Sequence, residues 1–134
     1  MFNAKVYKIA ILSLSGMIEE TYAVKEAVRQ YNQQQAQSTG KVFILIEDAQ
    51  TADVVISIIG NRIEKMEIVE DSLKSGKQVL LFFNSYNDPK NTIASEAQAV
   101  DMFKSKMKDR CFNADYNGVS ELNNLLEEQL NKIQ

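Results

Sequence analysis

The side chains able to do chemistry in this 134-residue chain are few in kind. There is no histidine and a single cysteine, Cys111. Ser–His and Cys–His nucleophilic catalysis are therefore excluded, and a zinc site lacks ligands. Hydroxyls, carboxamides, carboxylates, Lys, Arg and Tyr remain, and several of them cluster just behind apolar runs. Ser13 and Ser15 follow Val6 to Leu12; Gly60, Asn61 and Arg62 follow a Val/Ile run; Asn84, with Tyr86 behind it, follows Gln78 to Phe83. Serine hydroxyls beside the free N–H groups of a helix start suit an anion or a ribose, and equally suit plain helix capping. The guanidinium of Arg62 can clamp a phosphate or pair with Glu64 or Glu67 as an ordinary surface arginine. Asn84 and Tyr86 can hydrogen-bond or stack on a base, or simply solvate a loop. Asp53 reads as a turn or cap residue, and Cys111 as a half-buried structural one.

Those groups must be positioned by the runs they follow. Ala52 to Arg62 is the most informative: a continuous Val/Ile stretch closed by glycine predicts a strand buried on both faces. Val6 to Leu12 predicts a first strand, feeding a helix from about Met17 to Gln35 with Met17, Val24, Ala27, Val28 and Tyr31 on its stripe and Ser15 as its cap. Glu19 and Glu20 fall in its first turns, where carboxylates suit the dipole. Lys41 to Ile46 predicts a second strand. Only Glu47 to Ala52 separates it from the next, too few residues for a helical crossover. That link is a single turn, an extended crossover or a hairpin; a crossover with little or no helix is the preferred reading. Ile63 to Ser75 reads as a helix with Met66, Val69 and Leu73 inward, closed by Gly76. A fourth strand, Gln78 to Phe83, leads into the loop Asn84 to Lys90. A helix over Ser95 to Lys108 turns Ala99, Val100, Phe103 and Met107 inward. Cys111 to Tyr116 adds a short fifth strand, and a last helix buries Leu122, Leu125, Leu126, Leu130 and Ile133.

Alternating strands and helices predict one three-layer α/β domain over residues 1–134, with a flavodoxin-like, mostly parallel sheet of four to five strands and helices on both faces. In such sheets ligands bind outside the carboxyl ends of the strands, where Ser13, Gly60 and Asn84 fall. A net charge of −3 and a pI near 5.0 argue against nucleic acid as a partner. The basic run Lys104, Lys106, Lys108 and Arg110 reads as a solvated helix face. No apolar stretch is long enough to span a membrane, the N-terminus does not read as a signal peptide, and the lone cysteine fits a reducing cytoplasm.

Three stretches resemble a bacterial family whose domain is related to both TIR domains and nucleoside deoxyribosyltransferases, often joined to ATPase modules in defence proteins. Ile11-Leu12-Ser13-Leu14-Ser15-Gly16-Met17-Ile18-Glu19-Glu20 is similar to the family's opening strand, Ser-rich turn and paired glutamates, with Ala23-Val24 and Tyr31-Asn32 at matching distances. Ala52 to Ile56 with Arg62 is similar to its Ala-Asp-Ile-Val-Ile signature. Glu67 to Lys77 and the strand Val79 to Phe83 are similar to its third, with Gln78 in place of a proline.

The resemblance implies a TIR-like fold that recognises a nucleotide, with NAD or a nucleoside as ligand or substrate and no resident cofactor or metal. It also implies N-glycosidic cleavage by a glutamate at the start of the third-strand helix, because positive charge develops on the ribose as the bond to the base breaks. Glu67 is the available acid, one residue ahead of the family position, which Ile68 occupies; one residue turns a side chain ~100° around a helix. The loop before that helix is also shorter than in the family. The implied nucleotide contacts are Ser13, Ser15, Gly60, Asn61, Arg62 and Asn84. A homo-oligomer and an ATPase or nuclease partner of a defence system are implied as well. The alternative is a non-catalytic self-association or protein-interaction module on the same fold.

Overall fold

Residues 4–13, 17–60, 65–85 and 93–133 are described by the computed structural model, Ser13 by its backbone alone. The apolar runs form β1 (Lys5–Ser13), β2 (Lys41–Ile46), β3 (Val54–Ile59), β4 (Gln78–Asn84) and β5 (Phe112–Tyr116). They are joined through α1 (Ile18–Gln34), the short α2 (Ala36–Thr39), α3 (Met66–Lys74) and α4 (Ala94–Met107), and α5 (Val119–Lys132) follows the last strand. All pairings are parallel and the order is β2-β1-β3-β4-β5. This is the flavodoxin-like arrangement. Every residue of β3 is buried, as expected for the middle strand of a sheet covered on both sides.

Strand alternation divides the core. Tyr7, Ile9, Phe43, Ile56, Ile58 and Phe82 face α1 and α5, meeting Val24, Val28, Tyr31, Leu122, Leu126 and Leu130. Ala10, Leu12, Val55, Val79, Leu81 and Phe83 face the other way, against Val69 of α3 and Phe103 and Met107 of α4. The inward stripe of α4 differs from the expected one: Ala99 is exposed, and Val100, Phe103 and Met107 carry the contact. On α3, Val69 is buried and Leu73 packs beside it, but Met66 is 39% exposed. The exposure of Met66 is an end effect, because a short helix cannot press its first turn against a twisted sheet, whereas Ala99 lies mid-helix beside the face that Val100, Phe103 and Met107 define.

The short link between β2 and β3 contains only a 3-10 turn, Ala49–Thr51, yet β2 remains parallel to β1. The Asp48 carboxylate caps the turn by accepting from the Gln50 N–H (2.9 Å). Lys77 ties the turn to the start of β4, donating to the carbonyls of Gln50 (2.8 Å) and Ala52 (2.5 Å). Asp53 is a pairing residue: its carboxylate accepts from the Lys8 N–H (2.8 Å) while its own N–H donates to the Lys8 carbonyl (2.8 Å).

The outer edge of β2 is closed by one side chain. The Phe43 N–H donates to Asn32 Oδ1 (2.9 Å), and Asn32 Nδ2 donates to the Phe43 carbonyl (2.8 Å). A carboxamide thus replaces the next strand at the middle of an edge that would otherwise invite pairing. α3 ends in a Schellman arrangement, with the Lys77 N–H on the Ser72 carbonyl and the Gly76 N–H on the Leu73 carbonyl. Gly76 supplies the required positive φ of 79°.

The basic run is more than a solvated face. Arg110 donates to both Glu70 oxygens (3.2 and 3.0 Å), and Lys106 approaches the same carboxylate at 2.8 Å, clamping the end of α4 to α3. Lys104 pairs with Asp115 of β5 (2.5 Å).

Candidate functional site

Chain direction around the sheet reverses between β1 and β3: α1 leads outward to β2, whereas β3 leads to β4 and β5. The helices on either side of such a reversal diverge and leave a crevice at the carboxyl edge. Ser13 is in register with Ile58, Ile59 with Phe83, and Asn84 with Tyr116. Ser13, Gly60 and Asn84 therefore end neighbouring strands on one edge, at the mouth of this crevice. Ser15, Asn61, Arg62 and Tyr86 lie outside the described residues.

The amino end of α1 opens at this edge. The helix starts at Ile18 with Met17 in the cap position and no side-chain cap, so the cap is two residues beyond the expected Ser15. The first backbone N–H groups of a helix have no intrahelical acceptor. Glu19 is exposed and Glu20 half-buried in that first turn. These carboxylates suit the positive helix end, but they also repel a phosphate that would use the same N–H groups. A ligand group with hydroxyls to donate fits this turn better than an anion does.

Across the edge, Tyr116 at the end of β5 is 1% exposed, and its phenol oxygen has no hydrogen-bond partner among the described residues. Burial first, and then the charge of the nearby Glu20, push its pKa well above the ordinary phenol value. The hydroxyl thus stays protonated and feels Glu20, although no hydrogen bond of acceptable geometry joins them. A buried hydroxyl without a partner is uncommon in native structures. The strand end that carries it is held firmly, since both the N–H (2.8 Å) and Oγ (2.9 Å) of Ser85 donate to the Tyr116 carbonyl.

Glu67 is in the first turn of α3 and is exposed. α3 packs on the sheet face opposite α1 and begins after Lys65, which takes a left-handed φ of 60°. The crevice thus has two walls, one carrying Glu20 and the other carrying Glu67. Sequence spacing pointed to Glu67 through the helix start, and to Glu20 only as a dipole partner. Tyr116 gave no signal, because the residue it approaches lies near the opposite end of the chain.

A second concavity, a groove of about 450 Å³, lies at the amino edge of the sheet. Ala49 and Gln50 of the 3-10 turn face Ile68, Asp71, Ser72 and Ser75 of α3 across it. None of the expected site residues lines it, although Ile68, the neighbour of Glu67 on α3, does. Among the described residues no cluster of Cys, Asp or Glu could hold a metal ion, and no helix is long and apolar enough to cross a membrane.

No protein-family model matches the chain, and no curated protein matches it by sequence. Solved structures do share its fold. Translation elongation factor SelB from Methanococcus maripaludis, in its apo form, is similar over 98% of this chain and 38% of that chain, at 13% identity and a TM-score of 0.60. Homoserine dehydrogenase from S. aureus at pH 7.0 is similar over 84% of this chain and 33% of that chain, at 14% identity and a TM-score of 0.52. The chain spans between a third and two fifths of the length of these proteins. The likeness is one of fold.

Proposed function

We propose that the domain recognises a nucleotide at the carboxyl edge between β1 and β3, engaging its nucleoside part. The observation that carries this reading is the convergence at one edge of Glu20, the buried hydroxyl of Tyr116 beside it and the first turn of α1, which has no side-chain cap among the described residues. Glu20 accepts from ribose hydroxyls with the buried Tyr116 hydroxyl behind it, and Ser13, Gly60 and Asn84 line the strand ends beneath. In the TIR-like reading the ligand is NAD or a nucleoside, and the setting is bacterial defence or signalling, in the cytoplasm, with an ATPase or nuclease as partner.

Cleavage is the bolder form of the proposal. Glu67 would sit beside the anomeric carbon and stabilise the developing ribosyl cation, or trap the sugar covalently before water releases it. Its exposure on α3 favours recognition over cleavage, because a carboxylate in bulk water stabilises a cation weakly. The non-catalytic alternative, self-association on the same fold, has less support at the β2 edge, where Asn32 already occupies the pairing groups of Phe43.

The test is incubation with NAD and a panel of nucleosides, reading free base by chromatography and binding by thermal shift. Binding that weakens at least about tenfold in Glu20→Gln supports the site, a factor equivalent to ~1.4 kcal/mol. Product that disappears in Glu67→Gln supports cleavage. Absence of both product and thermal shift at millimolar ligand overturns the reading.

A further inference from the structure

Among the described residues no helix lies over one face of the β1–β2 pair. Residues alternating with Ala10 and Ile46 point to the side that α3 and α4 cover farther along the sheet. These are Val6 and Lys8 on β1, and Val42 and Ile44 on β2. Val6 and Ile44 are each 47% exposed, Val42 is half-buried and Lys8 is exposed. The cause is the link between β2 and β3, where a 3-10 turn stands in for a crossover helix. Parallel sheets are ordinarily covered on both faces, so this strip of aliphatic surface is a layer left incomplete.

We infer that the strip is the docking site of an amphipathic helix from a partner protein, lying where a crossover helix would lie. The dimensions match: the six-residue ladder between β1 and β2 is ~20 Å long, the length of a helix of about 14 residues. Charge selects the chemistry and the direction. Lys8 stands in the strip opposite Ile44 in the register and forms no ion pair among the described residues. Its complement is a carboxylate set within the partner's aliphatic stripe. Glu47 and Asp48 follow β2 at the carboxyl end of the strip, with Glu47 exposed. They favour the positive, amino end of the docked helix there, so the helix runs antiparallel to β2, as crossover helices do.

A second copy of the chain is the poorer occupant. Pairing along the β2 edge is obstructed by Asn32.

The probe is a displayed library of 14-residue helical peptides with randomised faces, selected on the wild-type domain and counter-selected on Ile44→Asp. The expected winners carry Leu, Ile or Val at i, i+3 or i+4 and i+7 with Glu or Asp inside the stripe. Their binding falls at least tenfold in Ile44→Asp. In Lys8→Glu it also falls, and returns when the peptide's acid is changed to Lys. Amide shift changes confined to β1, β2 and the 3-10 turn, with nucleoside binding unaffected, keep this result separate from the carboxyl-edge site. Winners without an apolar stripe, or binding indifferent to Ile44→Asp, overturn the proposal. So does a wild-type dimer by light scattering that Ile44→Asp makes monomeric, since the strip would then hold a second copy.

Discussion

Replacing Asn32 tests the closure of the β2 edge most directly. In Asn32→Ala two hydrogen bonds of 2.8 and 2.9 Å are lost, and the Phe43 N–H and carbonyl lose their partners. Each bond contributes ~1 kcal/mol net. Water reaches this half-buried edge and re-solvates the freed groups in part, so the expected loss is about 2 kcal/mol rather than the full burial penalty. For a domain of this size that lowers Tm by roughly 6 to 10 °C. Asn32→Asp separates geometry from charge. It keeps an acceptor for the Phe43 N–H but sets a second oxygen against the Phe43 carbonyl, so at neutral pH it is at least as destabilising as Ala. Protonation restores a donor, and because the fold disfavours the charged form, the deficit of Asn32→Asp relative to wild type shrinks as pH falls towards ~4 and stays constant below it. Urea unfolding gives the stability, and light scattering at rising concentration follows self-association through the opened edge. An Asn32→Ala protein within ~0.5 kcal/mol of wild type, with unchanged scattering, would refute the assigned role.

The clamp between α3 and α4 predicts a pH signature. Hydrogen bonds from Arg110 and then Lys106 hold the Glu70 carboxyl at about 2, below its ordinary 4.5. A depressed carboxylate stabilises the fold above its unfolded value and loses that contribution as pH falls. The stability difference between wild type and Glu70→Gln should thus be constant above about 5 and vanish between 4.5 and about 2; a difference independent of pH there refutes the clamp. Tyr116→Phe removes a buried hydroxyl that has no partner among the described residues, so it should leave thermal stability unchanged or raise it by up to ~1 kcal/mol while weakening nucleoside binding. Loss of more than 2 kcal/mol would mean that the hydroxyl has a structural partner. Leu126→Ala, at a fully buried α5 position, should cost ~2 to 5 kcal/mol by denaturant unfolding, and a smaller cost would mean that α5 is dispensable to the core. Gly76→Ala forces a Cβ into a φ of 79° and should cost about 1 kcal/mol by the same measurement; no cost would question the Schellman end.

Much of the framework was legible because burial on both faces leaves a plain mark in sequence. Val54–Ile59 could only be an inner strand, and Gly76 marked the end of α3. The inward face of α4 was misjudged at Ala99 because small residues carry little directional information in a helix of mixed polarity. The basic run gave no hint of its partner, since Glu70 lies on α3 and Arg110 in the turn after α4. The candidate site divides similarly. Ser13, Gly60 and Asn84 were recognisable as strand exits, whereas the buried hydroxyl of Tyr116 beside Glu20 depended on β5 occupying the far end of the sheet.

The sequence by itself determined the α/β class, the strand register of hydrophobicity and the lack of histidine-based chemistry, because composition and periodicity are local properties. Tertiary structure alone decided that β2 is parallel across a 3-10 turn, that Asn32 takes up the edge groups of Phe43 and that Val6 and Ile44 stay half-exposed on one face of β1–β2. It also decided which carboxylate approaches which hydroxyl. These outcomes depend on contacts between residues far apart in the chain, where no spacing rule reaches and only the packing of the sheet brings the groups together.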